Sequence, residues 1–281
     1  MTSQAIAQHE PVIRLAAFLG IFGAIALWEA LAPRRTRALT RHARWPHNIG
    51  LVLIDVVVLR IAAPGAAVAT ALAGEAGGWG LLHALALPWW SAVLIAVVLL
   101  DLAIYLQHVM FHAVPTLWRL HRVHHADLDF DVTTGLRFHP LEILISTAIK
   151  CAVVAAIGAP ALAVLVFEVL LNATAMFNHA NASVPQPFER WLRWLVVTPD
   201  MHRVHHSIRY EESSSNFGFN LPWWDRFLGT YKAQPDAGHE GMTIGVDAFR
   251  GPEEARLDRL LMQPFRETAG RYPINRRKEA A

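Results

Sequence analysis

Cysteine is almost absent. The chain of 281 residues holds one, Cys151, inside an apolar run. A disulfide framework, a cysteine-ligated zinc site and an iron–sulfur cluster are thereby excluded within a single chain. Charge is scarce as well. Charged residues make up 17% of the chain against 54% apolar, a balance that points away from an ordinary soluble domain and toward a membrane protein. The formal net charge of +2 gives no global basic field of the kind that would bind nucleic acid. No flavin or nicotinamide fingerprint and no haem-attachment motif is visible. What the chain has in excess is histidine, fifteen in all, eight of them in three tight groups.

The apolar residues gather into runs of membrane-crossing length. Val12 to Leu31 is long enough for a span. It lacks a basic start and a small-residue cleavage site, so it reads as a retained anchor. Ile49 to Leu72 is a second run, flawed by Asp55, Arg60 and Pro64. Trp89 to about Gln107 is a third, opening on an aromatic pair suited to an interface. Leu141 to Phe177 is too long for one span and is broken at Gly158-Ala159-Pro160. The expectation is a hairpin of two helices, each roughly 25 Å long at 1.5 Å per residue. Lys150 and Glu168 lie about equally far from that turn, so an ion pair across the hairpin is expected.

Basic residues orient the spans. Arg34, Arg35, Arg37, Arg41 and Arg44 fall between the first two with no acid among them, whereas no Lys or Arg occurs between Arg60 and Arg119. The positive-inside rule puts the arginine loop in the cytoplasm and the Ala73 to Pro88 loop outside. Every histidine group then lands at the cytoplasmic face.

Those groups are "HVMFH" with His108 and His112, "HRVHH" with His121, His124 and His125, and a second "HRVHH" with His202, His205 and His206. Spacings of three and four put the rings of each group on one helical face. Clustered imidazoles repel one another when protonated and are costly when buried without partners. A metal removes both problems, and imidazole suits zinc, copper and iron. One ion takes four to six ligands, so eight histidines imply two ions. No HExxH pairing supplies a zinc-hydrolase base. The carboxylates of a di-iron four-helix bundle are missing too. Isolated histidines, His9, His42, His47, His83 and His239, read as ordinary surface or core residues.

The three boxes, with "LWRLHRVHH", "RFHPLE", "TPDMHRVHHS" and "NFGFNLPWWDRFLGTY" around them, resemble the fatty acid hydroxylase and sterol desaturase superfamily over about residues 90 to 231. The resemblance implies a non-haem di-iron centre that activates oxygen against an aliphatic C–H bond, with the eight box histidines as ligands. It adds His139 in "RFHP" and His179 in "NHAN", which stand where the chain enters and leaves the hairpin. Asp101 and Tyr105 share a helical stripe with His108 and His112, and Asn172 shares one with His179. A role in supporting the ligands or lining a pocket is expected for them, with helix packing the alternative for Tyr105 and a pairing role the alternative for Asp101. Asn216 is expected to hold a water or orient a ligand. Gly218 reads as a turn residue, and Trp224 and Asp225 as anchors.

The expected fold is all-α: an integral membrane helical bundle with a helical cap on the cytoplasmic face carrying the two-metal site. Residues 1–89 would form the first spans and the basic loop, 90–231 the histidine-box domain, and 232–281 a soluble tail with some helix near Pro252 to Met262. The expected activity is hydroxylation or desaturation of a lipid from the bilayer, using two Fe2+ ions, molecular oxygen and electrons from a separate reductase or carrier. The arginine loop could receive that carrier or face anionic lipid. A membrane zinc hydrolase using the same histidines is the rival, and a bis-histidine haem carrier a weaker one.

Overall fold

The computed structural model describes residues 3–267. Helix α1 (Ser3–Leu31) is one continuous rod. Helix α2 (Arg41–Ala62) stops where Ala63 precedes Pro64, because the proline ring disfavours helical backbone in the residue before it. The chain restarts as α3 (Ala66–Gly77), followed by the single turn α4 (Leu81–Ala84). Together Arg41–Ala84 make one bent traverse, so the expected Ala73 to Pro88 loop is partly helical. Helix α5 (Trp89–Ala113) outruns its expected end by more than a turn. One extended residue, Val114, then breaks the direction, and Pro115 at the first helical position starts α6 (Pro115–His125).

The hairpin forms as expected from α7 (Pro140–Ile157) and α8 (Ala161–Asn178). Gly158 closes α7 at φ +64°, with the N–H of Ala159 returning to Val154 O at 3.1 Å. A Cβ there would meet Trp79 O at 2.5 Å, so only glycine fits both the turn and the packing against α4's approach. Short helices follow: α9 (Gln186–Leu192), α10 (Pro199–His205), α11 (Tyr210–Ser213), α12 (Trp223–Phe227), α13 (Gly238–Gly241) and α14 (Leu257–Met262). No strand occurs among the described residues; two isolated bridges do, Pro33 with Ala182 and Ser207 with Ile244.

Five segments are long and apolar enough to cross a membrane: Gln8–Leu31, Arg41–Ala84, Trp89–Ala113, Pro140–Ile157 and Ala161–Asn178. Their outward faces carry Leu15, Leu19, Leu53, Val57 and Leu94, all exposed, which suits acyl chains. Inside, Ala67, Ala71, Ala96, Ala161 and Ala163 let the helix backbones approach around Leu100, Val164 and Phe167. The expected ion pair is present, Lys150 Nζ to Glu168 Oε1 at 2.6 Å, and Arg14 adds a second partner at 2.8 Å.

All five traverses bring one end to the same place. Glu29, at the end of α1, accepts the backbone N–H groups of Val132 and Asn181 at 2.7 and 2.9 Å. Arg44, at the start of α2, reaches Asp127 and Asp131 at 2.6 Å. The C-terminal ends of α5 and α8 and the first turn of α7 converge on the same pole. The hairpin therefore returns the chain to the face it left. At the other pole Glu75 caps α8 by accepting Ala161 N at 2.9 Å.

Candidate metal centre

Nine histidines meet at that pole. His108 and His112 close α5, His121, His124 and His125 close α6, His179 ends α8, and His202, His205 and His206 lie on and just after α10. None is more than 3% exposed. They form two groups in which one ring nitrogen of each residue lies within 4.8 Å of the others: His108, His112, His121, His125 and His205; and His124, His179, His202 and His206. The groups adjoin, with His125 and His206 stacked at 4.4 Å between ring centroids.

Local sequence explains how the boxes are held. Pro115 begins α6, and the motif Thr198-Pro199-Asp200 begins α10, with Thr198 Oγ1 accepting Met201 N at 3.3 Å. The acidic stretch after the second box folds back as a frame. Asp127 takes Arg44 at 2.6 Å and Arg137 at 3.6 Å, and Arg137 Nε donates to Val123 O of α6 at 2.8 Å. Burial alone would raise the Asp127 carboxyl, but the two guanidinium groups outweigh it and hold it well below the usual carboxylate range. Gly135 presses so closely on α8 that a Cβ would meet Ala175 O at 2.4 Å and His179 Nδ1 at 3.1 Å.

The hydrogen bonds set the tautomers. Nδ1 of His108 donates to Phe217 O, that of His205 to Ser215 O and that of His179 to Ala175 O, each at 2.7 Å. A carbonyl can only accept, so all three rings carry their proton on Nδ1 and leave Nε2 a lone pair. His108 Nε2 and His205 Nε2 nevertheless face each other at 3.0 Å. His179 Nε2 lies 3.1 Å from His124 Nε2 and 3.2 Å from His206 Nε2. His121 Nδ1 meets the Glu142 carboxylate at 2.7 Å, leaving its Nε2 without a partner. Neither ring nitrogen of His202 is bonded.

Protonation does not resolve this crowding. Burial pushes His121 and His179 down to about 3. Burial first, then neighbouring imidazoles, pushes His124, His125, His202, His205 and His206 well below the ordinary range. A metal cation does resolve it. Two nitrogens bound at right angles to one ion at about 2.1 Å lie about 3.0 Å apart, close to the spacing found here. A carboxylate behind a ligating imidazole, as Glu142 stands behind His121, is a recurrent feature of such sites. The donor set thus fits two ions, one per group, with no carboxylate in either.

Of the ten histidines expected as ligands, nine are brought together. His139 lies outside both groups. It caps α7, its Nδ1 accepting Leu141 N at 3.2 Å while Nε2 meets Leu261 O at 3.2 Å. Both nitrogens are committed because Pro140 starts the helix and the C-terminal chain lies across the ring. Asp101 touches no histidine. It binds Asn220 Nδ2 at 2.8 Å, Leu221 N at 3.3 Å and Trp224 Nε1 at 2.7 Å. Tyr105 bonds Thr230 at 2.8 Å. Both secure the segment that offers Ser215 and Phe217 carbonyls to the rings. Asn216 is structural as well, at φ +53° with its amide on Met201 O and Lys232 O. Asn172 bonds Glu168 O within α8.

Glu142 was not singled out by the sequence reading, although an acid three residues past His139 in a first helical turn was a usable signal. The arginine loop also differs from expectation. Arg34 pairs with Asp200, Arg35 donates to Met242 O, Arg41 to Glu29 and Arg44 to Asp127 and Asp131. Four of the five arginines are thus spent on clasping the cap rather than presented to a partner. The tail is a strap. Arg122 donates to Gln263 O and Arg266 O at 2.6 and 2.7 Å, and Leu260 is buried against Leu51 and Val123. Residues 268–281 of that tail lie outside the described residues.

The fatty acid hydroxylase family model matches residues 93–230, the stretch that holds all nine histidines. Residues 93–230 are thus a fatty acid hydroxylase domain. The chain is 28% identical over 224 residues to an ornithine lipid hydroxylase of Rhizobium tropici, covering 78% of the chain and 66% of that protein. It is 28% identical over 200 residues to an alkylglycerol monooxygenase of Xenopus tropicalis, covering 68% and 43%. Against a cholesterol 25-hydroxylase of Rattus norvegicus it is 28% identical over 148 residues, covering 52% and 48%. The chain thus spans less than two thirds of each of these relatives. No solved structure matches it.

Proposed function

We propose that this protein is a multi-pass membrane enzyme that oxidises an aliphatic C–H bond of a lipid, with two iron ions held by its nine gathered histidines. One observation carries the reading: the Nε2 lone pairs of His108 and His205 face each other at 3.0 Å with both Nδ1 protons committed elsewhere. Only a cation satisfies that pair. Iron rather than another imidazole-binding metal, and oxygen as co-substrate, follow from the family. Lipid as the substrate class follows from the three relatives, whose names concern an ornithine lipid, an alkylglycerol and cholesterol.

His108, His112, His121, His125 and His205 would hold one ion, and His124, His179, His202 and His206 the other. His139 is assigned to capping α7. The ions would supply reduction of oxygen and removal of hydrogen from carbon, so that R–H, O2, two electrons and two protons give R–OH and water. The chain supplies the rest. Carbonyls of Ser215, Phe217 and Ala175 and the Glu142 carboxylate aim the rings. Phe130, Phe138, Phe217 and Phe219 wall the histidines with apolar surface and keep bulk water out. The site lies at the ends of the spans, where a lipid tail arrives from the bilayer. That end is assigned to the cytoplasmic face on the arginines of the Arg34–Arg44 loop. The electrons come from a separate donor.

The test is anaerobic purification, a metal count, and turnover of extracted membrane lipids under 18O-labelled oxygen. The expected result is iron-dependent formation of a lipid alcohol carrying one 18O atom, or of an alkene. Iron-loaded protein that converts no lipid sinks the enzymatic reading. Oxygen-independent hydrolysis with zinc would establish the rival.

A further inference from the structure

Helix α9 is built inside out. Its acid, Glu189, is 2% exposed and takes Arg193 and Thr198, while Phe188 and Trp191 stand 70% and 78% exposed. The same apolar face continues through Trp194 and Leu195, then through Trp223 and Phe227 of α12. These pieces form one surface. Trp223 Nε1 donates to Trp194 O at 2.9 Å, and the Arg226 guanidinium lies over the Trp194 ring at 3.7 Å. A contiguous aromatic face of this kind on a cap needs an occupant.

Depth identifies the occupant. Asp101 lies seven residues before His108 on α5, about 10 Å further into the bilayer-crossing helix at 1.5 Å per residue. Yet Asp101 accepts Trp224 Nε1 of α12, the Asn220 side-chain amide and the Leu221 backbone N–H. Thr174, on α8 five residues before His179, also bonds Asn220. The loop ahead of α12 therefore descends beside the spans, below the level of the histidines. Residues on its outer side at that depth border lipid, not water. Indole rings suit the boundary between headgroups and acyl chains, and exposed Arg190 at the rim suits lipid phosphates.

We propose that α9 and α12 form a wedge seated in the bilayer leaflet that contains the histidine pole, so that the cap is part of the membrane surface. The wedge is tied to the centre. Asp225 of α12 accepts Phe217 N and Gly218 N at 2.8 Å, and Phe217 O orients His108. The seat of α12 in lipid thereby sets the position of a ring in the metal group.

The lone cysteine makes the test direct. In full-length Cys151→Ala protein in phosphatidylcholine–phosphatidylglycerol nanodiscs, an environment-sensitive fluorophore is attached at Trp191→Cys or at Phe227→Cys. The comparison is Asp258→Cys, in an ion pair with Arg256 in which both side chains are exposed, 59% and 62%. Acyl-brominated lipid should quench the first two labels at least twofold more than the third, while iodide quenches only the third. Labels at 191 and 227 as open to iodide as the one at 258 would overturn the proposal. So would labels shielded from both quenchers, which would mean that a second copy or another protein covers the face. Metal content checks that each labelled protein is folded. Unlabelled Trp191→Phe protein gives an independent reading: it should lose part of the tryptophan emission that brominated lipid quenches, and no loss counts against the wedge.

Discussion

The two "HRVHH" segments share five letters and little else. Each splits its histidines between the two groups, but in opposite proportion. The first gives His121 and His125 to the larger group and His124 to the smaller; the second gives His205 to the larger and His202 and His206 to the smaller. The copies thus cross over, and neither group is the property of one box. Their supports differ. His121 leans on a carboxylate, Glu142, and His205 on a backbone carbonyl, that of Ser215. Arg122 holds the C-terminal strap by two carbonyls, whereas Arg203 pairs with Asp200 and reaches Ala180 O. Ligand placement is repeated; the means of orienting the ligands is local to each copy.

Removing a ligand from either copy tests the crossing-over most severely. His125→Ala and His206→Ala each take one ring from a different group. Both should cost activity more than the roughly 10–100-fold typical of losing a supporting residue. Retained activity in one of them, measured on lipid turnover, would make that copy dispensable. Acidification comes next. Burial holds His121 and His179 at about 3 in the folded chain, against an ordinary value of 6.5. Between those values the unfolded chain binds more protons, so stability is greatest above about pH 6.5 and falls as pH drops toward about 3. Thermal unfolding of the metal-free protein should show this loss. The metal-loaded protein should resist it until its ions are displaced.

The arginines separate the copies on a smaller scale. Arg203→Met leaves buried Asp200 short of a partner, at a cost of up to about 3–5 kcal/mol, softened because Arg34 still approaches. Arg122→Met forfeits bonds to neutral carbonyls and should cost less, about 1.5–3 kcal/mol. Denaturation of the two variants side by side gives the ranking, and the reverse order would refute it. Finest of all is the contrast in ring support. Glu142→Gln should weaken metal retention about 10–100-fold, whereas Ser215→Ala leaves the supporting carbonyl in place and should change it little. Equal effects in a chelator competition would mean the two supports are not of different kinds.

Much of this was legible because it is local. The hairpin follows from a Gly158-Ala159-Pro160 break in one apolar run, and the boxes from spacings of three and four on single helices. The Lys150–Glu168 pair could be read because both residues are counted from the same turn. What failed was long-range. The partners of the arginine loop could not be named because its acids lie far along the chain: Asp127 is 83 residues from Arg44, and Asp200 is 166 from Arg34. The tail had no legible role because its contacts run through its own carbonyls to Arg122, 141 residues away. Carbonyl groups carry no letter, so the partners of His108, His179 and His205 could not be named. His139 was expected at the metals because "RFHP" resembles a ligand position of the family and stands where the chain enters the hairpin. A helix cap and a ligand look alike in a sequence, and only the direction of the ring separates them.

The central claim is that two groups drawn from both copies hold two ions. Metal content per chain, measured on anaerobically purified wild-type, His205→Ala and His202→Ala proteins, tests it most directly. The expected result is two irons in the wild type, with each variant losing retention at one site only and at different sites. One iron in the wild type, or two retained equally firmly in both variants, would contradict it.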